Sequence, residues 1–196
     1  MSLFNFFSRK KKDKQEPDET PSPEQQQFAD IAISLFTPFL SDNGFKMIKT
    51  EIKQYSTAIS FRKGTQYIRL SSSTYPTDYP YSYNVILGDG DSENFFEYDW
   101  NSIALWRLKQ KIEPTTKAKE YSFPYGDKII YSLTHAKEDL IKYGDTFIKG
   151  DLTLFIEIRK EQNQNREPYK IHSPDKEGNY QTAFEPTSVE MKKKYS

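Results

Sequence analysis

Tyr55-Ser56-Thr57-Ala58-Ile59-Ser60-Phe61-Arg62 sets Tyr55, Thr57, Ile59 and Phe61 on one side of an extended chain and Ser56, Ala58, Ser60 and Arg62 on the other. Side chains alternate across a strand, so this period of two predicts a strand with one buried face. A glycine turn, Arg62-Lys63-Gly64-Thr65, follows, and Gln66 to Ser72 resumes the alternation through Ile68 and Leu70. The two runs predict an antiparallel hairpin. A strand from Phe45 to Lys53 before them and one through Tyr81, Tyr83, Val85 and Leu87 after them complete an antiparallel meander of about four strands, the simplest connection of consecutive strands.

Working outward, Phe28, Ala32, Leu35, Phe36 and Phe39 recur at helical spacing. Pro38 is expected to kink that helix or end it near Thr37, and Asn43-Gly44 to close the element. On the other side of the meander, Asp99 is placed to cap a helix through Trp100, Ile103, Leu105, Trp106 and Leu108, and the pattern breaks between Lys109 and Lys119. Gly126-Asp127 opens a helix through Ile130, Leu133, Lys137, Leu140 and Ile141 that stops at Gly144. The last element, 151–162, is ambiguous: Leu152, Phe155 and Ile156 suit a helix, whereas Leu154, Ile156 and Ile158 suit a strand. A helix is favoured because it closes a layer against the sheet. The expected fold is therefore α+β: an N-terminal helix, the meander, then two or three C-terminal helices packed on one sheet face.

The chain has 196 residues, room for one domain of ordinary size, and its mean hydropathy of -0.84 is too polar for packing from end to end. Residues 8–27 carry charged and amide side chains with Pro17, Pro21 and Pro23, and residues 163–196 carry Pro168, Pro174 and Pro186 with scattered rings. The expected organisation is a disordered tail over 1–27, a single domain over 28–162 and a largely irregular tail over 163–196. Cysteine is absent, which removes disulfides, thiolate metal sites and cysteine nucleophiles, and fits a cytoplasmic protein. The start, Met1 to Phe7 followed by Arg9 to Lys12, reverses the order of a secretory signal. It reads as a floppy terminus, with a weak peripheral membrane anchor as the competing reading.

Chemistry finds little purchase. His135 and His172 are the chain's two histidines, and no nucleophile elbow or matching acid accompanies them. Asp89-Gly90-Asp91-Ser92-Glu93-Asn94 has calcium-loop carboxylates, but Asn94 stands where such a loop needs glycine and Trp100 where it needs glutamate. No phosphate-binding glycine loop occurs. The expectation is no catalytic residue, no cofactor and no metal.

Charge, by contrast, is segregated. The chain balances 28 basic against 28 acidic residues, yet no Lys or Arg stands between Leu70 and Trp106, where Asp78, Asp89, Asp91, Glu93, Glu97 and Asp99 lie. Tyr75, Tyr79, Tyr81, Tyr83, Phe95, Phe96, Tyr98 and Trp100 share the interval. One reading makes the rings core and the acids solvated loop tips. The other makes an acidic, aromatic partner-binding face, with Asp89, Asp91, Glu93, Glu97 and Asp99 as electrostatic contacts and Tyr79 and Tyr81 as anchors.

Asn43-Gly44-Phe45 after an opening helix, the strand end Phe61-Arg62-Lys63-Gly64, and Tyr143-Gly144 followed by Phe147-Ile148-Lys149-Gly150-Asp151 resemble, in layout and texture, small bacterial immunity proteins of polymorphic or contact-delivered toxin systems. The resemblance spans about Phe28 to Lys160 and implies a stoichiometric inhibitor that occludes a toxin without cofactor or chemistry. An acidic face would suit a basic toxin such as a nuclease. The sequence-based expectation is thus a non-catalytic protein-binding module with a protein partner and no nucleic acid. The alternatives are a secretion or assembly chaperone for an apolar client segment and an enzyme using carboxylates alone.

Overall fold

The first helix begins where its donors are satisfied. Ser22 Oγ accepts from the Gln25 backbone N–H (3.2 Å) and Pro23 occupies the first turn, so α1 runs Pro23–Asp42. The computed structural model describes residues 20–91, 100–174 and 177–196; the expected tail over residues 1–19 lies outside them. Residues 23–27, expected in that tail, belong to α1 instead. The reason is Gln25, whose fully buried amide donates from Nε2 to Thr74 Oγ1 (3.0 Å) and accepts at Oε1 from Thr57 Oγ1 (2.7 Å) and Ser72 Oγ (2.8 Å). Pro38 does not end the helix. It sits on the exposed side, while Phe28, Ala29, Ala32, Phe36 and Leu40 form a buried stripe that continues past it.

The meander forms as expected: β1 (Lys46–Ile52), β2 (Ser56–Lys63), β3 (Gln66–Ser73) and β4 (Ser82–Asp89) are antiparallel neighbours in that order. Their register puts Phe61, Ile68 and Leu87 side by side on the face that receives the helices, and Arg62, Tyr67 and Gly88 side by side on the other. The second face is less exposed than the alternation implies, since Ala58, Ser60, Ser71, Asn84 and Ile86 on it are also buried.

After β4 the structure departs from the sequence reading. Residues 102–104 form β5 (Ser102–Ala104), pairing Ile103 with Leu87 and Ala104 with Ile86, and α2 starts only at Leu105, running to Ile112. Ile103, Ala104 and Leu105 are buried in succession, a demand met by extended pairing before a turn into helix. The cap expected at Asp99 lies outside the described residues. A second short strand, β6 (Tyr121–Ser122), pairs with the other end of the same edge of the sheet, at Ser82 and Tyr83. Then follow α3 (Lys128–Tyr143), α4 (Asp145–Lys149) and α5 (Thr153–Gln164), the last resolving the ambiguous segment as helix. Among the described residues no helix is long and apolar enough to cross a membrane.

The C-terminal segment is more regular than expected: β7 (Lys170–Pro174) and β8 (Tyr180–Phe184) pair as a hairpin, and α6 spans Pro186–Tyr195. Local caps and one aromatic anchor organise it. The Glu185 carboxylate accepts from the Thr187 and Ser188 N–H groups, Ser188 Oγ accepts from the Tyr169 N–H (2.9 Å), and the Arg159 guanidinium lies 4.7 Å from the centroid of the buried Tyr195 ring. Such contacts leave no hydrophobic period for sequence reading to find.

Gly88 needs space more than conformational freedom. A β-carbon there would fall 1.9 Å from Cζ of the Tyr67 ring, and that ring is fully buried with its hydroxyl donating to Asn101 Oδ1 (3.0 Å). Gly88→Ala is expected to destabilise the domain by about 2–3 kcal/mol, read as a lower denaturant midpoint at unchanged slope.

Candidate binding surfaces at the two ends of the fourth strand

The residues singled out as one face separate when the chain folds. Tyr79 and Tyr81 precede β4 and Asp89 and Asp91 end and follow it, so at ~3.4 Å per residue the two groups stand roughly 25 Å apart. Glu93, Glu97 and Asp99 lie outside the described residues, as do Phe95, Phe96 and Tyr98. Of the other rings in that interval, Tyr83 and Trp100 are sealed inside and Tyr75 and Tyr79 are exposed.

At the acidic end, Asp89 is half-buried and its Oδ1 has no hydrogen-bond partner. The backbone pins the turn: Asp89 N–H donates to Asn101 O (3.1 Å), Gly90 N–H donates to Thr65 O (2.9 Å), and Arg62 Nη2 donates to Gly90 O. Cations return from distant sequence. Burial holds the Arg159 guanidinium below its ordinary range, while the charge of Asp89 acts in the opposite direction. Lys194 is raised, first by its hydrogen bond with Tyr195 and further by Asp91 and Asp89. Helices α5 and α6 thus bring positive charge to the acids that the sequence had isolated. Among the described residues no group of three metal-ligating side chains converges.

The aromatic end is built differently. Tyr79 is 78% exposed and meets the half-buried Tyr81 edge to face, with ring centroids 5.5 Å apart. A cleft of about 310 Å³ lies beside them, lined by Pro80, Tyr81, Trp106, Lys119 and Glu120, and the Trp106 Nε1 is buried without an acceptor. A second cleft, of about 430 Å³, lies across Ser122 and is lined by Phe123, Pro124, Tyr125 and Lys128. Desolvation, then Tyr81 and Glu24, push the Tyr125 phenol upward, which ties this cleft to the same tyrosine pair.

Between α2 and α3 lies a cluster that sequence reading missed. Asp139 is buried and accepts from Lys109 Nζ (3.0 and 2.9 Å) and from Tyr121 OH (2.8 Å), with His135 Nε2 at 3.6 Å from it. The available signal was an acid on the buried stripe of α3, beside Ala136 and Leu140. Lys109 on α2 and Tyr121 on β6 both donate to this α3 carboxylate, so the group joins α2, α3 and β6. His172, the other histidine, lies on the exposed β7–β8 hairpin with Nδ1 2.9 Å from Thr182 Oγ1.

Burial, with the charge of Asp139 added, raises the Tyr83 and Tyr121 phenols above their ordinary 10.0. The Ser132 hydroxyl, hydrogen-bonded to Tyr83, works in the other direction there. A raised phenol contributes stability that is complete below the unfolded-state pKa and is lost as pH rises toward the folded-state value. Melting temperature is therefore expected to fall as pH climbs above about 10. In Tyr121→Phe the neutral-pH value is lower but the alkaline decline is shallower; calorimetry across the alkaline range checks both.

Comparison with family models, with curated proteins and with solved structures returns no match to this chain.

Proposed function

We propose that the chain is a non-catalytic protein-binding module acting by stoichiometric occlusion, the mode implied by its resemblance to immunity proteins, and that Tyr79 and Tyr81 anchor the partner. The observation that carries this reading is the exposed Tyr79 ring braced edge-on by Tyr81, which itself lines an open cleft. A large apolar body held in water at fixed geometry loses little side-chain freedom on docking, which is why tyrosine and tryptophan dominate binding hot spots. Small-molecule sites enclose most of their ligand, whereas a projecting ring beside an open cleft complements another protein surface. A toxin is the partner class that occlusion implies. Asp89 and Asp91 have no part in the anchor, because they lie at the far end of β4 and share their field with Arg159 and Lys194.

The test is titration calorimetry with the protein that copurifies in stoichiometric amount. Tyr79→Ala is expected to weaken binding roughly 30-fold, the effect of losing a hot-spot ring, at unchanged melting temperature. The pair Asp89→Asn and Asp91→Asn stays within about twofold of the parent. Full affinity in Tyr79→Ala together with a large loss in the acid variant would move the site to the other end of the sheet.

A further inference from the structure

The sheet has one open side. Its β4 edge is taken by β5 and β6, whereas β1 pairs with β2 and, among the described residues, no strand adjoins its outer side. Residues 46–50 are exposed in succession, with Met47 44% and Ile48 46% accessible. An edge of this kind is a template for another strand unless the sequence blunts it. The β-bulge between Met47 and Lys49 blunts one end, but residues 49–52 keep an unbroken register with residues 57–60.

The backbone fixes which groups this edge presents. Lys53 N–H donates to Ser56 O (2.8 Å), so the pairs that exchange hydrogen bonds with β2 are Lys53 with Ser56, Glu51 with Ala58 and Lys49 with Ser60. Thr57, opposite Ile52, turns its own N–H the other way, to Ser72 Oγ on β3 (3.2 Å). The N–H and C=O groups of Thr50 and Ile52 therefore point outward. Two copies of β1 joined antiparallel through these groups have their two-fold axis at a residue, and charge chooses the residue. An axis at Lys49 or at Glu51 sets that charge against its own copy. An axis at Ile52 runs into the bend at Gln54 and Tyr55. An axis at Thr50 sets Lys49 opposite Glu51 twice over and Ile48 opposite Ile52. Within each chain Lys49 and Glu51 already pair at 3.1 Å in an exposed contact, so the second copy completes a cluster of four alternating charges and breaks nothing buried.

We infer that β1 is a self-association edge, on which two copies of this chain pair antiparallel about Thr50 and continue the meander as one sheet through both. Strands β2 and β3 separate it from β4, so it is distinct from the tyrosine anchor.

The experiment is sedimentation equilibrium with hydrogen exchange on the full-length chain. Five residues a side make a small interface, and association is expected over roughly 10–1000 µM. As the dimer fills, the Thr50 and Ile52 amides should become protected, whereas the Lys53 amide is protected at every concentration. Lys49→Glu and Glu51→Lys each oppose like charges twice per dimer and should weaken it roughly tenfold. Combining the two substitutions opposes unlike charges again and should recover the parent's affinity within about twofold. Thr50→Pro removes an outward N–H that β2 does not use, so the dimer should be lost with the circular dichroism spectrum unchanged. Tyr79→Ala should leave association unaltered, so this edge and the tyrosine anchor fail separately. A chain that stays monomeric to about 1 mM overturns the inference. So does a dimer that persists in folded Thr50→Pro, or one whose single charge reversals the combined variant does not repair; the charge variants decide the matter should Thr50→Pro not fold.

Discussion

The structure depends on one contact, the apolar stripe of α1 laid across the meander. Phe28, Phe36 and Leu40 are fully withdrawn from water against a sheet face whose Ile59, Phe61, Ile68 and Leu70 are equally dry. Each such side chain contributes about 1.5–3 kcal/mol, and neither element could bury its own apolar side alone. Helix α3 packs beside α1, and Leu133, Ala136 and Leu140 extend the same core. The stripe also explains why Pro38 is tolerated: Leu40 draws the backbone through the site of the lost hydrogen bond, and the ring faces solvent.

Polar groups inside this arrangement hold its parts in register. The Gln25 amide bridges the first turn of α1 to Thr57, Ser72 and Thr74, so the helix meets the sheet in one axial position. Asp139 does the corresponding work between α2, α3 and β6, where Lys109 and Tyr121 converge on a carboxylate with little access to water. Buried polar groups of this kind favour a single arrangement because any other leaves a donor or acceptor unpaired.

Helices α1 to α5 all contribute to the core on one side of the sheet. Loops at the Ser82 end carry Tyr79, Tyr81 and Tyr125 outward. At the opposite end of β4, helices α5 and α6 return to close the molecule around Trp100: Asn163 Nδ2 donates to both Trp100 O (2.8 Å) and Tyr195 O (3.1 Å). The acidic turn is thereby built into the fold, and the rings at the other end remain presented.

The alternation from Tyr55 to Leu70 was enough to identify the central hairpin, and the stripe from Phe28 to Phe36 enough to identify its covering helix, because backbone period alone decides which side chains can share a face. The helix after Gly126 was legible for the same reason, whereas the period after Gly150 suited helix and strand alike and only the need to close a layer against the sheet favoured helix. The strand at Ser102–Ala104 was not, since only an unsatisfied edge of β4 makes extended pairing better than another turn of helix there. The C-terminal hairpin and α6 were not, because caps and the ring of Tyr195 beneath Arg159 hold them. Position along the chain grouped Tyr79, Tyr81, Asp89 and Asp91. An extended strand carries its two ends apart, so tertiary structure alone decided that the tyrosines and the acids belong to different surfaces.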